Sequence, residues 1–138
     1  MSYKIINFKK FKDDRGSLIA LEANKSVPFN IKRVYYIFDT KRGFSRGFHA
    51  HRALKQVVVC VSGSCKFVLD DGKQKCHVQL NDATKGILIE SLTWREMYDL
   101  SKDCVLMVLA SEYYDETDYV HDYENFLEIS GYERQQYD

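Results

Sequence analysis

The stretch Arg46-Gly47-Phe48-His49-Ala50-His51 gathers two of the chain's four histidines and an arginine into six residues. On an extended strand, residues two apart project to one face, so His49 and His51 point together and can act on one ligand. Two chemistries use such a pair. With further ligands, an H-x-H strand holds a divalent metal. Without them, two imidazoles that titrate near neutrality are natural general acid and base groups. Arg46 would add a fixed bidentate cation for a phosphate or a developing enolate oxygen. Strict alternation puts Arg46 on the face opposite His49, so its participation requires a bulge, for which Gly47 is the natural host. The alternative is an arginine solvated at the strand entrance.

The metal reading can be tested against the spacing of cupins, which present two ligands on such a strand. The pattern G-x5-H-x-H-x4-E-x6-G falls on Gly43, His49, His51, Gln56 and Gly63, so only the carboxylate is missing. Started at Gly86, the second motif G-x5-P-x-G-x2-H-x3-N falls on Leu92, Trp94, Met97 and Ser101. An amide and a thioether replace the carboxylate and the imidazole. That leaves no charge compensation for a hard or borderline divalent ion. The chain resembles a cupin whose metal site has been dismantled, and no metal and no other cofactor is expected.

Further residues could complete an acid/base site. Tyr35 and Tyr36 are adjacent on one strand and face opposite ways, so one of them can meet the histidines. Arg33 shares the face of Tyr35. Tyr36 shares its parity with Val34 and Phe38 and, if buried, needs a hydrogen-bond partner such as a histidine. Arg15 and Gly16 sit at a turn before a strand, where the arginine is either solvated or an anion contact. Trp94 and Glu96 share a face near the dismantled metal site, in a stacking or orienting role or simply as packing.

The elements that must position these groups are short and β-rich. Runs at 4–8, 17–22, 31–39, 54–61, 65–70, 76–80, 86–90, 93–100 and 104–110, with the histidine segment among them, are separated by turn signals such as Ser62-Gly63-Ser64 and Asp71-Gly72. This predicts an all-β fold, an antiparallel jelly-roll or cupin barrel, as one domain over residues 1–138. From Asp118 the spacing of Tyr119, Tyr123, Phe126 and Leu127 predicts a short C-terminal helix capped by Thr117 or Asp118. Twenty basic residues balance twenty acidic ones, which gives no global field for nucleic acid, so any anion site is local. No apolar run reaches membrane-span length and the start lacks a signal-peptide h-region, so a cytoplasmic protein is expected. Cys60, Cys65, Cys76 and Cys104 form no C-x-x-C pair and are expected to be buried thiols.

The segments INFKKFKDDRGSLIALE, IKRVYYIFDT, RGFHAH, GSCKFVLDDG and CVLMVLASEYYDETDYV, with the aromatic tail, resemble the dTDP-4-keto-6-deoxyglucose 3,4-ketoisomerases nearly end to end. These are small cupin-type enzymes of bacterial deoxyaminosugar synthesis. The resemblance implies a homodimer with exchanged N-terminal strands and a dTDP-linked keto sugar as the bound partner. It implies His49 as the base at C3 and His51 as the group that relays the proton or reprotonates C4, roles that could be exchanged. Tyr36 or Tyr35 would hydrogen-bond the sugar oxygens, and Arg46 with Arg15 or Arg33 would hold the pyrophosphate. Arg15-Gly16 matches members associated with the galacto product. Arg95 stands where a relative would carry histidine, and strand parity turns it away from Trp94 and Glu96. The competing readings are a 3,5-epimerase on a similar keto sugar, a nucleotide-sugar-binding cupin without turnover, and a metal cupin completed by water.

Overall fold

The computed structural model describes residues 3–137, with side chains through residue 131. Twelve strands precede one helix: β1 (Tyr3–Asn7), β2 (Phe11–Asp13), β3 (Gly16–Leu18), β4 (Arg33–Ile37), β5 (Arg46–His51), β6 (Gln56–Ser62), β7 (Cys65–Asp70), β8 (Lys75–Leu80), β9 (Lys85–Ile89), β10 (Trp94–Tyr98), β11 (Val105–Ala110), β12 (Tyr119–Val120) and α1 (Tyr123–Tyr137). They form two antiparallel five-stranded sheets, ordered β1-β9-β6-β11-β4 and β12-β5-β10-β7-β8, with β2 and β3 as a separate hairpin. This is the expected cupin-like sandwich with a short C-terminal helix.

Three apolar layers hold it. Between the sheets, Val58, Ile87, Ile89, Leu106 and Val108 of one sheet meet Phe67, Leu69, Leu80 and Met97 of the other. The outer face of the first sheet, carrying Val57, Val59, Leu88 and Leu109, is covered by Phe8, Val27 and Phe29 of the N-terminal segment. The outer face of the second sheet packs Ala50, Trp94 and Val120 against Phe126 of α1. Burying a side chain of this size contributes roughly 1.5–3 kcal/mol. α1 is also tied down by the Tyr123 hydroxyl, which donates to the buried Asp70 carboxylate.

Among the expected boundaries, those of the third strand and of the helix move furthest. The run at 17–22 keeps strand geometry only through Leu18, after which Ile19 and Leu21 pack on the first sheet as irregular chain. The C-terminal helix does not start at Asp118. A 3-10 turn at Glu116–Asp118, capped by Asp115, leads into β12, where Tyr119 pairs with His51 and Val120 with Ala50. The β-forming pair Tyr119-Val120 completes a sheet edge that the helical spacing concealed. The helix begins after Asp122, whose carboxylate accepts the Asn125 amide at 3.2 Å.

All four cysteines are free; Cys60, Cys65 and Cys104 are buried and Cys76 is half-buried. Burial pushes the Cys65 and Cys104 thiols up to about 12, so they behave as inert apolar groups. Among the described residues, no helix is long and apolar enough to cross a membrane.

Candidate active site

β5 is the strand on which the site is built, and its pairing with β10 sets the geometry. His49 lies opposite Arg95, Gly47 opposite Glu96 and Arg46 opposite Met97, with a register shift that leaves Phe48 unpaired. Gly47 and Phe48 both take positive φ, +90° and +61°. A Cβ at Gly47 would stand 3.0 Å from the Arg95 carbonyl oxygen, so the position requires glycine on two counts. The bulge re-phases the strand. Residues directly opposite share a face, and Arg95 and Met97 share one, so Arg46 and His49 both face inward. Arg46 nevertheless lies at the far end of β5, exposed, lining a surface cavity of about 330 Å³ with Phe38, Thr40 and Leu100.

At the other end of the strand the interior turns polar. The His49 and His51 rings meet edge to face with centroids 4.9 Å apart. Tyr119 from β12 lies 4.9 Å from His49 and 4.4 Å from His51. His121 stacks on Tyr119 at 5.2 Å and comes within 6.2 Å of His49. Glu116 fixes this outer pair, accepting the Tyr114 hydroxyl at 2.7 Å and lying 2.8 Å from His121 Nε2. Asp118 Oδ2 stands 3.2 Å from His51 Nδ1. His51 also lines a cavity of about 400 Å³ with Arg33, Tyr114, Asp118 and Tyr119.

Beneath the histidines lies Arg95, only 2% exposed. Its guanidinium donates to Gln56 Oε1 and, at 2.9 Å, to the Thr93 carbonyl, while Nε finds no partner among the described residues. Gln56 Nε2 in turn donates to the Tyr35 hydroxyl at 2.9 Å. Arg33 lies over the Tyr35 ring at 5.1 Å and the Tyr114 ring at 5.6 Å, with Nε and one terminal nitrogen buried and without a partner among the described residues.

Burial, reinforced by the Arg95 charge, pushes His49 down to about 4 and His51 down to about 2. Both rings are therefore neutral at pH 7 and able to accept protons. Burial lowers Arg95 to about 10, which still leaves it charged, and raises the Tyr35 phenol. Among the described residues no carboxylate forms an ion pair with Arg95. A desolvated, uncompensated cation costs several kcal/mol and makes this interior attractive to an anion.

The expected metal positions are occupied otherwise. Gln56 bridges Tyr35 and Arg95, and Met97 packs in the apolar core. Among the described residues no three His, Cys, Asp or Glu side chains converge as a metal site.

The structure brings His49, His51, Tyr35 and Arg33 together but not the other expected residues. Tyr36 lies on the outer face of β4, 63% exposed, with its ring against Phe38. Its parity with Val34 and Phe38 takes all three out of the barrel. Trp94 and Glu96 lie on the outer face of β10, where Trp94 Nε1 donates to Glu96 at 2.8 Å under α1. Arg15 and Gly16 sit on the β2–β3 hairpin, with Arg15 paired to Asp13 in solvent. Sequence reasoning missed Arg95, Asp118, Tyr119 and His121. Arg95 had a parity signal, since turning away from Trp94 and Glu96 means facing inward once those two are outside. Tyr119 and His121 had the period-two spacing of a strand.

Residues 1–131 match the family described as FdtA, WxcM-like, C-terminal. A TDP-4-oxo-6-deoxy-alpha-D-glucose-3,4-oxoisomerase of Aneurinibacillus thermoaerophilus is 57% identical over 126 residues, which are 91% of this chain and 91% of that protein. A 3,4-ketoisomerase from Helicobacter canadensis has the same fold, with a TM-score of 0.92 and 49% identity over 95% of this chain and 98% of the other. A sugar 3,4-ketoisomerase from Thermoanaerobacterium thermosaccharolyticum, solved in complex with TDP, gives a TM-score of 0.93 at 42% identity over 96% of both chains.

Proposed function

The chain belongs to the WxcM-like family of cupin-like sugar-nucleotide 3,4-ketoisomerases, and on that premise we propose that it converts TDP-4-keto-6-deoxyglucose into its 3-keto isomer by proton transfer between side chains and substrate. The observation that carries this reading is the pair of neutral imidazoles at 4.9 Å beside the buried, uncompensated Arg95. The C4 carbonyl acidifies the proton on C3, and His49 removes it. The electron pair forms a C3–C4 double bond and negative charge moves to O4, which takes a proton. Loss of the proton from O3 and protonation of C4 then leave the ketone at C3. His51 relays protons or reprotonates C4, and the two histidines exchange roles in the reverse direction.

Arg95 offsets the charge of the enediolate in a medium where a fixed cation acts strongly. Tyr35, rather than Tyr36, hydrogen-bonds the sugar oxygens, because its hydroxyl lies inside. Arg33, with buried unpartnered nitrogens, holds the pyrophosphate, and Arg46 extends the positive charge along the same inner face. The β2–β3 hairpin exposes Phe11 at 52% and Leu18 at 59%, which supports a homodimer with exchanged N-terminal strands. Arg15 and Gly16 then reach a site across the interface and favour reprotonation to the galacto product. We place the reaction in the cytoplasm, on a route to deoxyamino sugars.

Incubation with TDP-4-keto-6-deoxyglucose in deuterated water, followed by NMR, tests this reading. Deuterium at C4 with the ketone at C3 is expected. Label at C3 and C5 with the ketone unmoved would assign a 3,5-epimerase instead, and absence of exchange would leave a binding protein.

A further inference from the structure

A histidine that handles a substrate proton must present the correct ring nitrogen in the correct state, and Asp118 controls which state His51 can take. Asp118 Oδ1 accepts the Ala53 amide at 2.8 Å, and Oδ2 accepts the Leu54 amide at 3.3 Å. The Asp118 carbonyl accepts the Arg52 amide at 2.9 Å, fixing the backbone as well. Both carboxylate oxygens are thus committed as acceptors. The His51 Nδ1 facing Oδ2 at 3.2 Å must then carry the hydrogen. The other nitrogen, Nε2, is buried and without a partner among the described residues. The ring itself is buried.

We propose that Asp118 is a positioning residue that locks His51 in the Nδ1–H tautomer, leaving the Nε2 lone pair free to accept a proton. His51 therefore enters the reaction as an acceptor first and a donor second. The imidazolium formed in between is stabilised by the same carboxylate, in the manner of a buried Asp behind a catalytic His. The inference rests on the ketoisomerase reading for its consequence in turnover, but the tautomer itself does not depend on it.

Two-bond proton–nitrogen correlation spectra of the uniformly labelled, ligand-free protein at pH 7 read the tautomer directly. His51 is expected as Nδ1–H with an unprotonated Nε2; a protonated Nε2 overturns the proposal. In Asp118→Asn, the amide oxygen stays with the Ala53 amide and the NH2 group turns toward His51 Nδ1, which must become an acceptor. The ring then flips to the Nε2–H tautomer, and kcat falls roughly 10²–10⁴-fold with KM changed less than ~3-fold. A folded variant with unchanged tautomer or unchanged kcat also overturns the proposal. If that variant fails to fold, the wild-type spectrum alone decides. Because the spectrum needs no substrate, an inactive wild type would count against the ketoisomerase reading only.

Discussion

Three strands, β4, β6 and β10, change character half-way along their inner faces. β4 reads Arg33, Tyr35, Ile37; β6 reads Gln56, Val58, Cys60; β10 reads Arg95, Met97. One end of the interior is a network of cations, imidazoles and phenols, and the other is a dry core around Phe67, Leu69 and Leu106. The dry half supplies the packing that lets the polar half hold unpaired nitrogens at Arg33, His51 and Arg95. Stability and chemistry are thereby placed on the same strands but not on the same residues.

The sharpest separation is expected from His49→Asn, which should lower kcat by roughly 10²–10⁴-fold while leaving the thermal midpoint nearly unchanged. Turnover followed by NMR and a melting curve on the same sample check both halves of the statement. Phe67→Ala is the converse. It should cost about 3–5 kcal/mol of stability and leave kcat of the folded enzyme within about two-fold.

Arg95→Met comes next. It should cost roughly 10²–10³ in kcat yet leave stability equal or higher, since an apolar chain replaces a desolvated charge. A marked loss of stability in this variant would break the division between the two halves.

The pH dependence is smaller but has a definite sign. His49 at about 4 and His51 at about 2 lie below the unfolded value of 6.5. Between these values the unfolded chain binds protons that the folded one does not. Stability is therefore retained above pH 6.5 and falls as the solution is acidified, by up to ~1.4 kcal/mol per pH unit for each ring. Denaturant titrations from pH 7 to pH 5 check it. Flat stability across that window would mean that the rings are not held neutral. Last, Tyr36→Phe should change kcat less than about two-fold, whereas Tyr35→Phe should lower it clearly; equal effects would place the sugar differently.

Much of the architecture was legible because alternating Val, Ile and Leu between turn residues admits few alternatives. Gly47 likewise announced the bulge that Arg46 needed. Parity, however, relates residues to one another without saying which face is inside. Both faces of the second sheet are covered, one by the opposite sheet and the other by α1, so Trp94 on the outside is as buried as Arg95 on the inside. Arg95 reads as turned away from the site for that reason, whereas on β4 parity leaves Tyr35 and Tyr36 equivalent until the position of the other sheet decides between them. Tyr119 and His121 were lost to a different ambiguity. Their period-two spacing is a single interval at a two-residue strand, with no repeat to set it apart from the tyrosine spacing of the helix, which extended over it.

The unpaired Phe48 has a consequence for the length of β5. Bulge geometry is what lets Arg46 and the two histidines lie on the inner side with Phe48 carried between them as a surplus residue. Without Phe48, Arg46 would stand two positions before His49 on a regular ladder and still share its face, so the strand can lose that residue and keep its alignment. What it cannot absorb is a side chain at Gly47, where the positive φ and the Arg95 carbonyl oxygen 3.0 Å from a Cβ leave the bulge no other way to form.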